Sequence, residues 1–176
     1  MSRTFWRTAV LVLIGVVALP AIAGEGRTPI YQYPTVISAP GKYIVTRNID
    51  GMGGPAPVID VQASPVDIDL NGFTLINWGG GAPIINSFGG VPLTIRNGTL
   101  MGGAGGIYVS TGADDIPMHK VIIEDVNVMN TQGFGIHLYL ISDFALRRNN
   151  VAFSGNVAIM IDGAVGLNYP IMGTIE

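Results

Sequence analysis

The chain has 176 residues, with 9 Lys and Arg against 12 Asp and Glu (formal charge −3), 25 Gly and no Cys. Without cysteine, disulfides, thiolate catalysis and Cys-ligated metal are excluded, and the acidic balance weighs against a phosphate backbone as partner. A hydrophobic content of 48% alongside so much Gly describes a turn-rich β protein and excludes a disordered one.

In chain order, Met1 to Arg7 forms a short basic head, Thr8 to Leu19 is almost wholly apolar, and Ala21-Ile22-Ala23 has the small-x-small form of a cleavage site. This is the pattern of a secretory signal peptide over 1–23, and its apolar part falls short of the ~20 residues that cross a bilayer. Cleavage leaves 176 − 23 = 153 residues, enough for one domain. It also removes Arg3 and Arg7, so 7 basic residues face 12 acidic ones and the charge becomes −5. The mature chain is expected to be secreted, periplasmic or on the cell surface, with no stable membrane span after signal cleavage and no nucleic-acid partner.

Residues 24–56 carry Pro29, Pro34, Pro40 and Pro55 and follow no evident period, so they read as an N-terminal extension and cap. From residue 57 to 176, short alternating apolar runs are punctuated by Gly, Asn, Asp and Pro, the pattern of strands and turns. One set of runs starts at Val66, Leu93, Val121 and Phe144, spaced 27, 28 and 23 residues apart. Each is followed by a bend at Asn71-Gly72, Asn97-Gly98, Asp125 or Asn149. A second set aligns on Ile59, Ile84, Ile107, Ile136 and Ile159, with spacings of 25, 23, 29 and 23. Two interleaved sets with one irregular period, each unit too small to bury its own apolar face, predict a solenoid. The Leu-x-x-Leu-x-Leu-x-x-Asn frame of leucine-rich repeats is missing, so each coil is expected to be β, with helix only in the signal segment.

The motifs Ala39-Pro-Gly-Lys-Tyr-Ile-Val-Thr-Arg-Asn-Ile49, Val66-Asp-Ile-Asp-Leu-Asn-Gly-Phe-Thr-Leu75, Leu93-Thr-Ile-Arg-Asn-Gly-Thr-Leu100 and the Gly-Ile-x-Val/Leu runs at Gly106 and Gly135 resemble right-handed parallel β-helix proteins of the pectate-lyase-like superfamily. The resemblance runs from about Ile37 to the C-terminus. It implies an all-β, single-stranded right-handed parallel β-helix of about five coils. It also implies a choice of functions, since members include polysaccharide lyases, hydrolases and epimerases as well as binding and structural proteins.

Successive coils lie about 4.8 Å apart, so equivalent residues should form columns. Val66, Leu93, Val121, Phe144 and Ile68, Ile95, Ile123, Leu146 are the expected inward columns. The outward column Asp69, Arg96, Glu124, Arg147 alternates in sign, as a ladder of cross-strand ion pairs would; the resemblance to the superfamily's lyases also makes these four candidate acids and bases for a polysaccharide-cleaving cleft. The other outward column is Asp60, Ile85, Tyr108, His137, Met160, with Gln62, Ser87, Ser110, Tyr139 and Asp162 beside it. Tyr108, His137 and Tyr139 would then share one exposed face and form a candidate sugar-binding site, since aromatic rings pair an apolar body with a polar tip; ordinary strand preference for Tyr explains them too.

Asp114, Asp115 and His119 raise the question of carboxylate catalysis or a metal. One hydrolase branch of the resembled superfamily carries Asp-Asp and Gly-His-Gly, but here His137 stands in Gly135-Ile-His-Leu138, and Asp114-Asp115 reads as a polar turn. Gly79 to Gly81 and Gly102 to Gly106 lack the Gly-Lys-Ser/Thr ending of a phosphate loop and read as coil corners. No cofactor and no metal site is expected. Three functions stay open: an exported binding or scaffold module with polysaccharide as its partner; a lyase, hydrolase or epimerase using Asp69, Arg96, Glu124 and Arg147 or Asp114, Asp115 and His137; and a truncated or degenerate family member. The last coil carries no evident cap, so self-association through it is a further expectation.

Overall fold

The computed structural model describes residues 26–89, 92–111, 120–163 and 172–176. Residues 1–23, read as a signal peptide, and the Asp114, Asp115, His119 group lie outside the described residues. Those described form a parallel β-solenoid of about five turns with no helix, and so with none long and apolar enough to cross a membrane.

The first coil holds β1 (Thr28–Ile30) and β2 (Thr35–Ile37), and the second holds β3 (Gly41–Val45), β4 (Ile49–Asp50) and β5 (Ile59–Val61). Next come β6 (Val66–Asp69), β7 (Thr74–Asn77) and β8 (Pro83–Phe88), then β9 (Leu93–Gly102) with β10 (Gly105–Ser110), and β11 (Lys120–Met129) with β12 (Phe134–Tyr139). The chain continues through β13 (Asp143–Arg147), β14 (Asn150–Ala152) and β15 (Ile159–Asp162) to β16 (Met172–Ile175). One sheet stacks β1-β3-β6-β9-β11-β13-β16, with β4, β7 and β14 alongside; the other stacks β2-β5-β8-β10-β12-β15. The segment read as extension and cap thus includes four strands hydrogen-bonded into the same ladders.

The first sheet has the expected register. Val66, Leu93, Val121 and Phe144 are direct partners, as are Ile68, Ile95, Ile123 and Leu146, and all are buried. Burying an aliphatic side chain of this size contributes roughly 1.5–3 kcal/mol, so a one-residue slip, which would turn a whole column to solvent, is strongly disfavoured. Prolines mark the entry to successive rungs at Pro40, Pro65 and Pro92, where the missing N–H costs no ladder bond.

The corner after this sheet is a column of left-handed residues: Asn71, Asn97, Asp125 and Arg148, with φ of 53°, 62°, 55° and 51°. Asn and Asp tolerate this region because their short side chains bond locally. The last coil departs from expectation, since Arg148 rather than Asn149 takes the left-handed position. Arg148 is held there by a two-pronged contact to Asp125, both bonds 2.7 Å. Asn149 closes the corner from beside it, accepting from the Val126 N–H at 3.0 Å and donating to the Ile123 carbonyl at 2.8 Å.

The second sheet corrects one expected register. Ile59 pairs with Ile85, and Ile85 with Ile107, so Ile84 is not the member of this column. Both Ile84 and Ile85 are fully buried, because the chain enters this sheet at a corner where two consecutive residues face inward. Gly106 and Gly135 occupy the corner position equivalent to Ile84. The outward columns therefore read Asp60, Asn86, Tyr108, His137, Met160 and Gln62, Phe88, Ser110, Tyr139, Asp162, with Ser110 buried among its neighbours; Asn86 and Phe88 replace Ile85 and Ser87.

Candidate functional site

Strand alternation on β5, β8, β10, β12 and β15 sends every second side chain out of the second sheet, and the parallel register lines these up across coils. Tyr108 and His137 are direct partners, as are Ser110 and Tyr139. The predicted trio is therefore brought together. His137 lies edge-on to Tyr108, with ring centres 5.1 Å apart, and to Tyr139 at 6.3 Å.

A fourth ring, which the sequence reading omitted, completes the cluster. Phe134 lies 5.2 Å from His137 and 6.1 Å from Tyr108. Its place depends on the rung below: Phe134 is opposite Gly105, and a Cβ there would sit 2.2 Å from the Phe134 ring. The legible signal was a glycine at a strand start stacked under an aromatic, but only after the register is known.

Polar groups flank the rings along both columns. Asp162, one rung further on, meets His137 Nε2 at 3.0 Å, fixing the imidazole on the face. On the other side, the Asp60 carboxylate accepts from Asn86 Nδ2 at 2.8 Å and from Gln62 Nε2 at 2.7 Å. Phe88, 61% exposed, and Tyr139, 38% exposed, leave apolar area on this same surface. Large exposed rings bordered by polar groups are what a binding surface presents.

The other candidate column is geometrically real and chemically occupied. Asp69, Arg96, Glu124 and Arg147 are successive ladder partners. Asp69 is buried, and both its oxygens are engaged: Oδ2 by Arg27 at 2.9 Å and Arg96 at 3.6 Å, Oδ1 by the Asn71 N–H at 2.8 Å and Asn97 Nδ2 at 3.3 Å. Arg96 also meets Asp67 at 2.9 Å, and Arg147 meets Glu176 at 3.7 Å. Glu124 does not pair along its own column; its cation is Arg148, at 3.9 Å. A general acid or base needs reach to a substrate proton, whereas Asp69 and Arg96 are tied to each other and to Arg27 and Asp67, and Glu124 and Arg147 turn to Arg148 and Glu176 outside the column. Beyond them, Arg148 holds the Asp125 carboxyl below its ordinary value through hydrogen bonding and charge, and is itself raised by the same contact.

A groove of about 460 Å³ lies along the first sheet between the proline column and Lys42, Asp67 and Thr94. It is separate from the aromatic cluster and gathers no comparable set of groups. Among the described residues, no three of His, Asp and Glu converge as a metal site would require. Set against known protein families, curated proteins and solved structures, the chain matches none.

Proposed function

We propose that the chain is an exported β-helix module that binds glycans through the Tyr108, Phe134, His137 and Tyr139 face of its second sheet, without breaking bonds. The observation that carries this is the cluster itself: four rings on neighbouring coils, with centres 5.1–6.3 Å apart, flanked by Asp162 and by the Asp60, Asn86, Gln62 network. Such a surface offers apolar planes to the C–H faces of sugar rings and oxygen acceptors to their hydroxyls. Export rests on the 1–23 segment, and the module reading on the β-helix architecture that the pectate-lyase-like proteins exemplify.

Co-sedimentation of the mature chain with a panel of insoluble polysaccharides tests the proposal. Binding is expected, weakened roughly tenfold by Tyr108→Ala or by Tyr139→Ala, the equivalent of about 1.4 kcal/mol. Release of unsaturated or reducing ends, abolished by Arg96→Ala or Arg147→Ala, would replace binding with catalysis.

A further inference from the structure

The two sheets divide the charge of the molecule unequally. Every Lys and Arg beyond residue 25 lies on the first sheet or on the segments and corners beside it, and none on a strand of the second. Arg27, Arg96, Arg147 and Arg148 are moreover paired with Asp69, Asp67, Glu176 and Asp125. The strands of the second sheet carry two formal charges, Asp60 and Asp162, both negative.

The hydrogen bonds of that face have a direction as well. Asn86 and Gln62 each spend one of their two amide N–H groups on Asp60, which orients both amides and leaves their oxygens, with one N–H each, for a ligand. Asp162 is engaged by His137 through one oxygen, and the other remains an acceptor. The face is thus rich in acceptors, without a lysine or arginine, and interrupted by rings. A ligand rich in carboxylates or sulfates would bring acceptors to acceptors and negative charge to negative charge. A ligand rich in hydroxyl donors, with apolar C–H faces and no charge, meets each feature.

We infer that the glycan bound on this face is a neutral polysaccharide, laid along the stack from the Asp60, Asn86, Gln62 network across Tyr108 to His137 and Tyr139. This rests on the glycan-binding reading above. It departs from the acidic polymers that the arginines of the first sheet would suit. Because the contacts are stacking and hydrogen bonds rather than ion pairs, binding is largely independent of salt.

Native affinity electrophoresis of the full mature chain separates the possibilities, with gels containing a soluble neutral β-glucan or galactomannan, polygalacturonate, or glycol chitosan. Retardation is expected in a neutral gel, equal at low and high ionic strength, absent in polygalacturonate, reduced several-fold by Asn86→Ala or Gln62→Ala, and lost in Tyr108→Ala. The two amide variants alter surface groups, so they report even where loss of the Tyr108 ring disturbs folding. Retardation by polygalacturonate, or by glycol chitosan alone, overturns neutrality; if Tyr108→Ala abolishes it, the glycan-binding reading stands. Retardation in no gel overturns both.

Discussion

At the residue scale, the site hangs on a missing methyl group. Gly105 is needed because Phe134 occupies the space its Cβ would take. The clash is with a side-chain ring rather than with backbone, so Gly105→Ala should push Phe134 off the cluster without unfolding the coil. We expect a stability loss of about 1–3 kcal/mol, as for a modest overpacking, together with loss of glycan retention. Denaturant unfolding and co-sedimentation on the same variant check the two halves. Both Gly105 and Phe134 are plain in the sequence, but their relation is not: 29 positions separate them, and only the ladder makes them neighbours. The Tyr108, His137 and Tyr139 trio was legible because Tyr108 and His137 fall at equal phase in adjacent repeats and Tyr139 follows His137 by two residues, on the same side of its strand. Phe134 was missed because it lies three residues before His137, near the corner, where strand alternation gives no guidance.

At the scale of the element, the corners do what the strands cannot. The column Asn71, Asn97, Asp125, Arg148 holds the left-handed turn in four successive coils, and the residue type best suited to it gives way at the end to an arginine. Arg148 is kept there by its fork onto Asp125. That contact lowers the Asp125 carboxyl from its ordinary value of 3.8. A depressed carboxylate contributes stability that is complete above its ordinary value and is lost as the pH falls through the lowered one. The pair should therefore support the corner at neutral pH and release it in acid below 3.8. In Arg148→Ala, a carboxyl-resolved NMR titration should show Asp125 moving back up toward 3.8, while Asp69 keeps its own partners. The fold of these corners was readable as Asn and Asp at regular spacing. The final one was misplaced by one residue because Asn149 looks like a turn residue and serves instead as a side-chain bridge between coils.

For the whole molecule, stacking makes stability a matter of nearest neighbours, as in other solenoids. Ile107 is fully buried between Ile85 and Ile136 in one inward column. Ile107→Ala removes its contacts to both and leaves a cavity, at an expected cost of about 2–5 kcal/mol. Hydrogen exchange should quicken first in β8, β10 and β12, with β1 and β3 affected least; uniform loss of protection would argue against this one-dimensional picture. The sequence by itself determined the period, the β class and the first-sheet columns, because a fixed rise per coil forces apolar residues of equal phase into one dry interior. It could not decide the phase of the second sheet, where Ile84 and Ile85 are both apolar and both buried, so that the pattern fits either register. Nor could it tell which cation pairs with which carboxylate, or which fourth ring joins the aromatic trio. Those outcomes belong to the tertiary structure, because ion pairs and ring contacts reach diagonally across coils, and a diagonal between two strands is defined only once both have been placed.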